Sequence, residues 1–491
     1  MATNRRPMRI RRIHALFCLL ALLVSTGCDS SQTAIEARWR FIGLQALSQQ
    51  TNAPAAAAAV RLPEFARLRG PLADRIAAAL WESTAGNTNL PAAQRVAIQP
   101  LITDVLDHLS LGQIVRTTAG RREWVIVVPG DAARAHAWET AWPAFFKAAR
   151  GTTDGAGSAT VLFQTGWIIA VSDANATPPQ SVMTALAQIP VEPQAVLHLE
   201  TSLAHQPRIQ LTAAARQGAI RAEAHWVQDQ KFPDPLPAWE RPSIIRDPLI
   251  HFTAARGIAA WAAQFDWLKT VAGTDVPDQI FVWGKPAATT NSPALQTYVA
   301  ARVAQPETWI DRSFQQVQPL YPAEPAAPIW SGQLMLETNH HSALIAGFPP
   351  VRLAPIHEGN RSYVLLGMMP QGPSKLPFPP ELAAQVERPG ILYYQWEIVA
   401  EAFSNFNAAV QAGDILRRRL PSTQRPGIAW AIAASAAMGE TVTEAQVSGP
   451  REFTVKRKSP AGLSAAEMIY FARWIDGPAL SRPQAAAKPS R

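Results

Sequence analysis

One pattern recurs along this chain and limits its fold more than any other feature: an apolar strand, a small turn, an amphipathic helix rich in aromatics, then another strand. In the first copy, Trp124-Val-Ile-Val-Val128 precedes Asp131, a side chain suited to cap a helix. The helix sets Trp138, Trp142, Phe145 and Phe146 on one side, and Thr160-Val-Leu-Phe163 and Trp167-Ile-Ile-Ala-Val171 follow as strands. The second copy runs from Leu249-Ile-His-Phe-Thr253 through a helix with Ile258, Trp261, Phe265 and Leu268 on one face to Gln279-Ile-Phe-Val-Trp283. The third runs from Ile391-Leu-Tyr-Tyr394 through Val399, Phe403, Phe406 and Val410 to a strand at Gly427-Ile-Ala-Trp-Ala-Ile432. Leu197-His-Leu-Glu-Thr201 recurs as Leu334-Met-Leu-Glu-Thr338, each ahead of a strand–helix unit. The fold class expected is α+β: mixed, mainly antiparallel sheets with packed helices and internally duplicated strand–helix–strand units.

The rest of the chain divides around these copies. Residues 28–59 read as a tether, a helix opened by a Thr33–Glu36 capping box and running to about Gln49, and a linker from Gln50 to Ala59. Residues 60–190 form an α+β domain entered by two helices, Pro63 to Trp81 and Pro91 to Leu109, which Gly70-Pro71 and Pro100 are expected to kink or split. Residues 191–330 and 331–480 are the two repeat units, and 481–491 a disordered tail. Ile209-Gln-Leu-Thr and Ala219-Ile-Arg-Ala-Glu-Ala-His-Trp226 alternate as antiparallel strands with one wet face do. Glu452 to Lys458 reads as a strand, and Ser464-Ala-Ala-Glu467 opens a helix that buries Met468 and Phe471 and stops at Gly477.

The N-terminus gives an address. Arg5, Arg6, Arg9, Arg11 and Arg12 precede a short apolar run from Ile13 to Val24. That run is too short to span a bilayer, which takes about 20 residues, and it fits a secretory signal, residues 1–27. The exit, Val24-Ser-Thr-Gly-Cys28, resembles the lipobox of bacterial lipoproteins, with Ser25 where that family most often has Leu. The resemblance implies lipid on the Cys28 thiol, cleavage before it, and a chain exported and anchored at the periplasmic face of a membrane. Asp29 resembles the inner-membrane retention signal of enteric-type lipoproteins. The chain has two cysteines, Cys18 inside the signal and Cys28. The body after Cys28 therefore has no disulfide, thiolate metal ligand or cysteine nucleophile. Phe252-Thr-Ala-Ala-Arg-Gly257, Leu392-Tyr-Tyr-Gln-Trp-Glu397 and Lys456-Arg-Lys-Ser-Pro460 resemble a family of uncharacterised exported proteins from Verrucomicrobia-type bacteria. That resemblance covers roughly residues 190–480 and implies a fold without a chemistry.

Charge and motifs exclude several classes. Without the five signal-peptide arginines, 45 basic residues become 40 against 37 acidic ones, an ordinary balance that is no footprint for nucleic acid. His340-His341, near Glu337 and Asn339, and His357-Glu358 lack the spacing of a zinc site, so no metal and no cofactor is expected. Gly155-Ala-Gly-Ser158 leads into a strand and is no nucleophile elbow, and no catalytic residue is assigned. Glu200 and Glu337 correspond under the duplication and could pair as carboxylates. Arg417-Arg418-Arg419 and Lys456-Arg457-Lys458 are basic clusters, read first as solvated faces. The expectation is an anchored envelope lipoprotein that binds or scaffolds an envelope protein or glycan. An envelope hydrolase with dispersed carboxylates and a solute-binding lipoprotein are the alternatives.

Overall fold

The computed structural model describes residues 34–85, 87–116, 122–150, 159–172, 192, 194–202, 207–229, 231–286, 296–317, 333–337, 342–346, 351–367, 376–416 and 425–477. Cys28, His340, His341, Gly155 to Ser158, the 417–419 arginines and the 481–491 tail lie outside them.

Ala34–Phe41 is a strand, β1, followed by the short helix Leu44–Ser48 (α1). This replaces the helix expected from Thr33 to Gln49. Ile35, Ala37, Trp39 and Phe41 alternate strictly with Glu36, Arg38 and Arg40. That period of two outweighs a possible capping box, and Glu36 instead accepts a 2.6 Å hydrogen bond from Arg116 Nε. The Gln50–Ala59 linker is also corrected. Pro54–Arg61 is a helix, α2, whose Ala56, Ala57 and Ala59 are buried. Alanine has the highest helix propensity and packs closely, so an Ala-rich stretch becomes a linker only when nothing covers it.

Pro63–Ala85 (α3) and Ala92–Asp107 (α4) run unbroken through Pro71 and Pro100, so neither proline splits its helix. Ser110–Arg116 (β2) and Arg122–Pro129 (β3) then lead to Ala132–Arg150 (α5). Asp131 Oδ1 accepts from Arg134 N at 2.9 Å, the expected cap. Trp138, Trp142, Phe145 and Phe146 are all buried against α3, α4, Thr160–Gln164 (β4) and Trp167–Val171 (β5). Trp138 Nε1 donates to Asp104 Oδ2 at 3.1 Å, which satisfies the indole.

Three strands follow: Ala195–Thr201 (β6), Arg208–Arg216 (β7) and Ala219–Val227 (β8). His251–Arg256 (β9) and Gln279–Gly284 (β10) bracket two short helices, Ala259–Ala262 (α6) and Asp266–Ala272 (α7). The single buried stripe expected there is broken. Phe265 adopts extended backbone between the helices, and Trp261 is left 46% exposed. Thr297–Arg302 (β11) and Pro306–Val317 (α8) precede Gln333–Glu337 (β12), Ser342–Ala346 (β13), Val351–Glu358 (β14) and Arg361–Gly367 (β15).

Pro380–Val386 (α9), Ile391–Ile398 (β16) and Val399–Leu416 (α10) come next. The strand expected at Gly427–Ile432 is instead part of a helix, Pro426–Ser435 (α11). Gly427, Ile428, Trp430, Ala431, Ala434 and Ser435 are buried on one broad helix face, while Ile432 is 43% exposed. Asp476 decides the structure by accepting from Gly427 N and Ile428 N at 2.8 and 2.9 Å, a carboxylate on a helix N-terminus. Glu440–Gly449 (β17), Glu452–Ser459 (β18) and Ala465–Asp476 (α12) complete the order, with the Ser464–Glu467 capping box formed and Gly477 at the C-cap.

The described strands join into one 18-stranded sheet. The register pairs place them in the order β4–β5–β3–β2–β1–β6–β7–β8–β18–β17–β16–β9–β10–β11–β15–β14–β13–β12, antiparallel at every step. The protein is thus α+β with a large antiparallel sheet. Helices α2–α5 and α10–α12 cover one face, where Trp39 lies directly over Gly112 and any Cβ would overlap its ring. The opposite face is apolar and buried at two places. Leu111, Val127, Ile169 and Val171 form one cluster, and Phe252, Phe281, Trp283 and Tyr298 lie under α9 in the other.

Candidate functional site

Between those two buried patches, the second face of the sheet is polar. Strand alternation sends Arg38 and Arg40 of β1 to this face because Trp39 points to the helices. Cross-strand register then lines up two ladders. The first is Gln113–Arg38–Glu200–Gln210–His225–Thr454–Gln446. The second is Arg40–His198–Thr212–Glu223–Lys456–Glu444. At about 4.8 Å per strand, the band from β1 to β17 is roughly 24 Å long. Gln210, Glu223, His225, Gln446 and Lys456 are exposed along it. A cavity of about 300 Å³, lined by Glu223, Glu444, Gln446, Thr454 and Lys456 among others, lies at its β17 end. Within the two ladders formal charges balance, with Arg38, Arg40 and Lys456 against Glu200, Glu223 and Glu444, and Glu444 is also ion-paired with Arg388 from outside them.

The ladders contain a connected relay. Glu200 is ion-paired with Arg38. His198 Nε2 is 3.0 Å from Glu200 Oε1, and His198 Nδ1 is 3.1 Å from Thr212 Oγ1. Burial pushes the Glu200 carboxyl up, but hydrogen bonds from Arg38 and His198 outweigh it and hold the group below the usual range. An ionised Glu200 can only accept, so His198 Nε2 donates to it, and in the tautomer this selects Nδ1 accepts from the Thr212 hydroxyl. The imidazole is 2% exposed and held at both ring nitrogens, and Thr212 is half-buried.

A second polar group is sealed under the helices. Glu397 is fully buried, accepting from Ala465 N at 2.7 Å and from Gln395 Nε2 at 3.1 Å. Burial pushes its carboxyl up to about 7. His251 lies directly opposite on β9, with neither ring nitrogen hydrogen-bonded and its ring 4.7 Å from Phe406. Burial lowers that imidazole to about 3. Nearby, Arg457 grips Glu467 with bonds of 2.6 and 3.0 Å.

Other sequence candidates fall outside the band. The Lys456-Arg457-Lys458 cluster is divided by its strand: Arg457 turns inward to Glu467, and the two lysines are exposed on the polar face. His357 contacts Ser362 Oγ at 3.1 Å and Glu307 Oε1 at 2.7 Å, while Glu358 accepts from Ser243 N and Oγ. Glu200 and Glu337 sit on β6 and β12, far apart in the strand order, so the register does not pair them. Sequence reading missed His198 and Thr212 as partners. The available signal was a polar pair spaced i, i+2 on each strand: Arg38/Arg40, His198/Glu200, Gln210/Thr212, Glu223/His225, Thr454/Lys456 and Glu444/Gln446.

No family model, curated protein or solved structure matches the chain. Among the described residues, no helix is long and apolar enough to cross a membrane, and no three His, Cys, Asp or Glu side chains are grouped to hold a metal ion.

Proposed function

We propose that this chain is an exported lipoprotein, held at the periplasmic face of a membrane through lipid on Cys28, whose polar band binds an extended, uncharged glycan of the envelope. The observation that carries the binding reading is the pair of charge-balanced ladders between two buried apolar patches. A polyanion or polycation would leave half of those charges unmatched, whereas a neutral chain of hydroxyls can bond to Arg, Glu, Gln, His and Thr together. The length of the band suits several sugar units better than a single small solute. The wholly antiparallel pairing also speaks against the alternating βαβ lobes of a solute-binding lipoprotein. The anchor reading is supported by the arginine flank, the short apolar run and the position of Cys28. Membership of the Verrucomicrobia-type exported family belongs to the same proposal. So does an ancestral duplication, supported by the two Leu-x-Leu-Glu-Thr segments, of which Leu197 to Thr201 falls on β6 and Leu334 to Glu337 on β12.

Two measurements test this. Palmitate labelling of the wild type and Cys28→Ala checks the anchor: label and membrane retention should vanish in the variant, and unchanged labelling removes this part of the proposal. Calorimetric titration with neutral envelope polysaccharide checks the band. Gln210→Ala with Lys456→Ala should weaken binding about tenfold or more, and equal affinity in the variant rejects the site.

A further inference from the structure

We infer that Thr212, His198 and Glu200 form a nucleophile–base–acid relay able to cleave carboxylic esters, and that its substrates are O-acyl groups carried on the hydroxyls of the bound glycan. The substrate class rests on the glycan reading above, whereas the relay stands on its own geometry.

Three features carry it. A threonine hydroxyl is a weak nucleophile unless a base takes its proton, and the base must itself be oriented by a third group. Here the order is complete: Thr212 Oγ1 to His198 Nδ1 at 3.1 Å, His198 Nε2 to Glu200 Oε1 at 3.0 Å, and Glu200 fixed by Arg38. The ionised carboxylate selects the tautomer that leaves Nδ1 free to accept, and it would stabilise the imidazolium formed when the proton arrives. All four residues lie on β1, β6 and β7, adjacent strands of a continuous sheet, so the geometry is held by backbone hydrogen bonds on both sides. Arg40, the register neighbour of His198, has no hydrogen bond or ion pair among the described residues and can place positive charge beside a developing oxyanion.

The chemistry balances without a cofactor. Thr212 Oγ1 bonds to the ester carbonyl carbon as its proton passes to His198 Nδ1. The tetrahedral intermediate then breaks its bond to the sugar oxygen, which takes the proton from His198 and leaves as a free hydroxyl. Water, deprotonated by the same imidazole, attacks the acyl-threonine and releases the carboxylic acid, restoring Thr212. The neighbouring cavity at Glu223, Thr454 and Lys456, on β8 and β18, gives the sugar chain a place to lie beside β7, the strand that carries the nucleophile.

The test uses the mature chain, an alkyl fluorophosphonate probe and p-nitrophenyl acetate. Labelling should map to Thr212 by peptide mass spectrometry. Thr212→Ser should keep hydrolysis, while Thr212→Val and His198→Gln should lower it by about 100-fold or more. Glu200→Gln should lower kcat and alter the pH profile, because it removes the charge that supports the imidazolium. Binding of a deacylated neutral glycan to Thr212→Val is measured alongside, with circular dichroism to show that each variant is folded. A folded wild type that binds glycan but yields no Thr212 adduct and no ester turnover overturns the relay and leaves the band standing. Turnover retained in Thr212→Val also overturns it. Loss of glycan binding in the wild type instead removes the substrate assignment and the reading on which it rests.

Discussion

His251 and Glu397 face each other across β9 and β16, and both are buried, yet burial acts on them in opposite directions. The Glu397 carboxyl rises from its usual 4.5 to about 7 in the folded chain. Between those values the native state binds the proton more tightly than the unfolded state, so stability is full below pH 4.5 and is lost as pH rises through 7. The imidazole of His251 falls from 6.5 to about 3, so its contribution is full above pH 6.5 and is lost as pH falls through 3. Each slope is about 1.4 kcal/mol per pH unit, with opposite sign. From about pH 4.5 to 6.5 they cancel, and the wild type should show a near-plateau over that interval, tilted upward with pH by His108, which burial also lowers. Glu397→Gln should unmask a rise with pH of ~3 kcal/mol across the plateau, and His251→Phe a fall of the same size. The double variant should return to the near-plateau. Guanidinium unfolding followed by tryptophan fluorescence at half-unit pH steps reads these slopes independently of any constant cost of repacking. Wild type and both single variants giving parallel curves would refute the reasoning, since neither group would then be titrating differently in the folded chain.

Smaller perturbations test the packing. Gly112→Ala puts a methyl into the Trp39 ring and should cost about 1–3 kcal/mol, seen as a lower denaturation midpoint with an unchanged m-value. Trp138→Ala removes a fully buried indole and its bond to Asp104 and should cost about 3–5 kcal/mol by the same assay. Ser464→Ala opens the capping box of α12 and should cost about 1 kcal/mol, with faster amide exchange in the first turn of that helix.

The elements that sequence made legible are those whose decisive contacts are local. The helix with Trp138, Trp142, Phe145 and Phe146 announces itself by its spacing, and the Ser464–Glu467 box by four consecutive residues. Misreadings arose where a local signal competed with a distant partner. Thr33 and Glu36 fit a cap, but Glu36 belongs to Arg116. Ile428, Trp430 and Ile432 alternate with alanines like a strand, but Asp476 caps them as a helix. The candidate site was illegible for the same reason. Each strand shows two polar residues at i, i+2, yet nothing in β8 says that it will pair with β18, more than 200 positions later. The side chains were visible and their juxtaposition was not, because adjacency in a sheet is set by long-range closure rather than by pattern.

The correction at β1 changes how an anchored body would sit. A helix to Gln49 followed by a linker to Ala59 would have let the sheet drift from the membrane. Instead Cys28 is separated from Ala34 by a segment that reaches ~20 Å at full extension, and Ala34 already begins a strand hydrogen-bonded on both sides, to β2 and β6. Arg38 and Arg40 lie within another ~20 Å along that strand. On the lipoprotein reading, the β1 end of the polar band is therefore held within ~40 Å of the bilayer surface, and the lipid is wired to the strand that carries the relay's Arg38. Inserting about twelve Gly and Ser residues after Ser31 adds ~40 Å of reach without touching the sheet. Binding of soluble glycan should be unchanged, while capture of glycan fixed close to a supported bilayer should fall as the band is released from that depth. Equal capture by both proteins would show that tether length plays no part in where the band works.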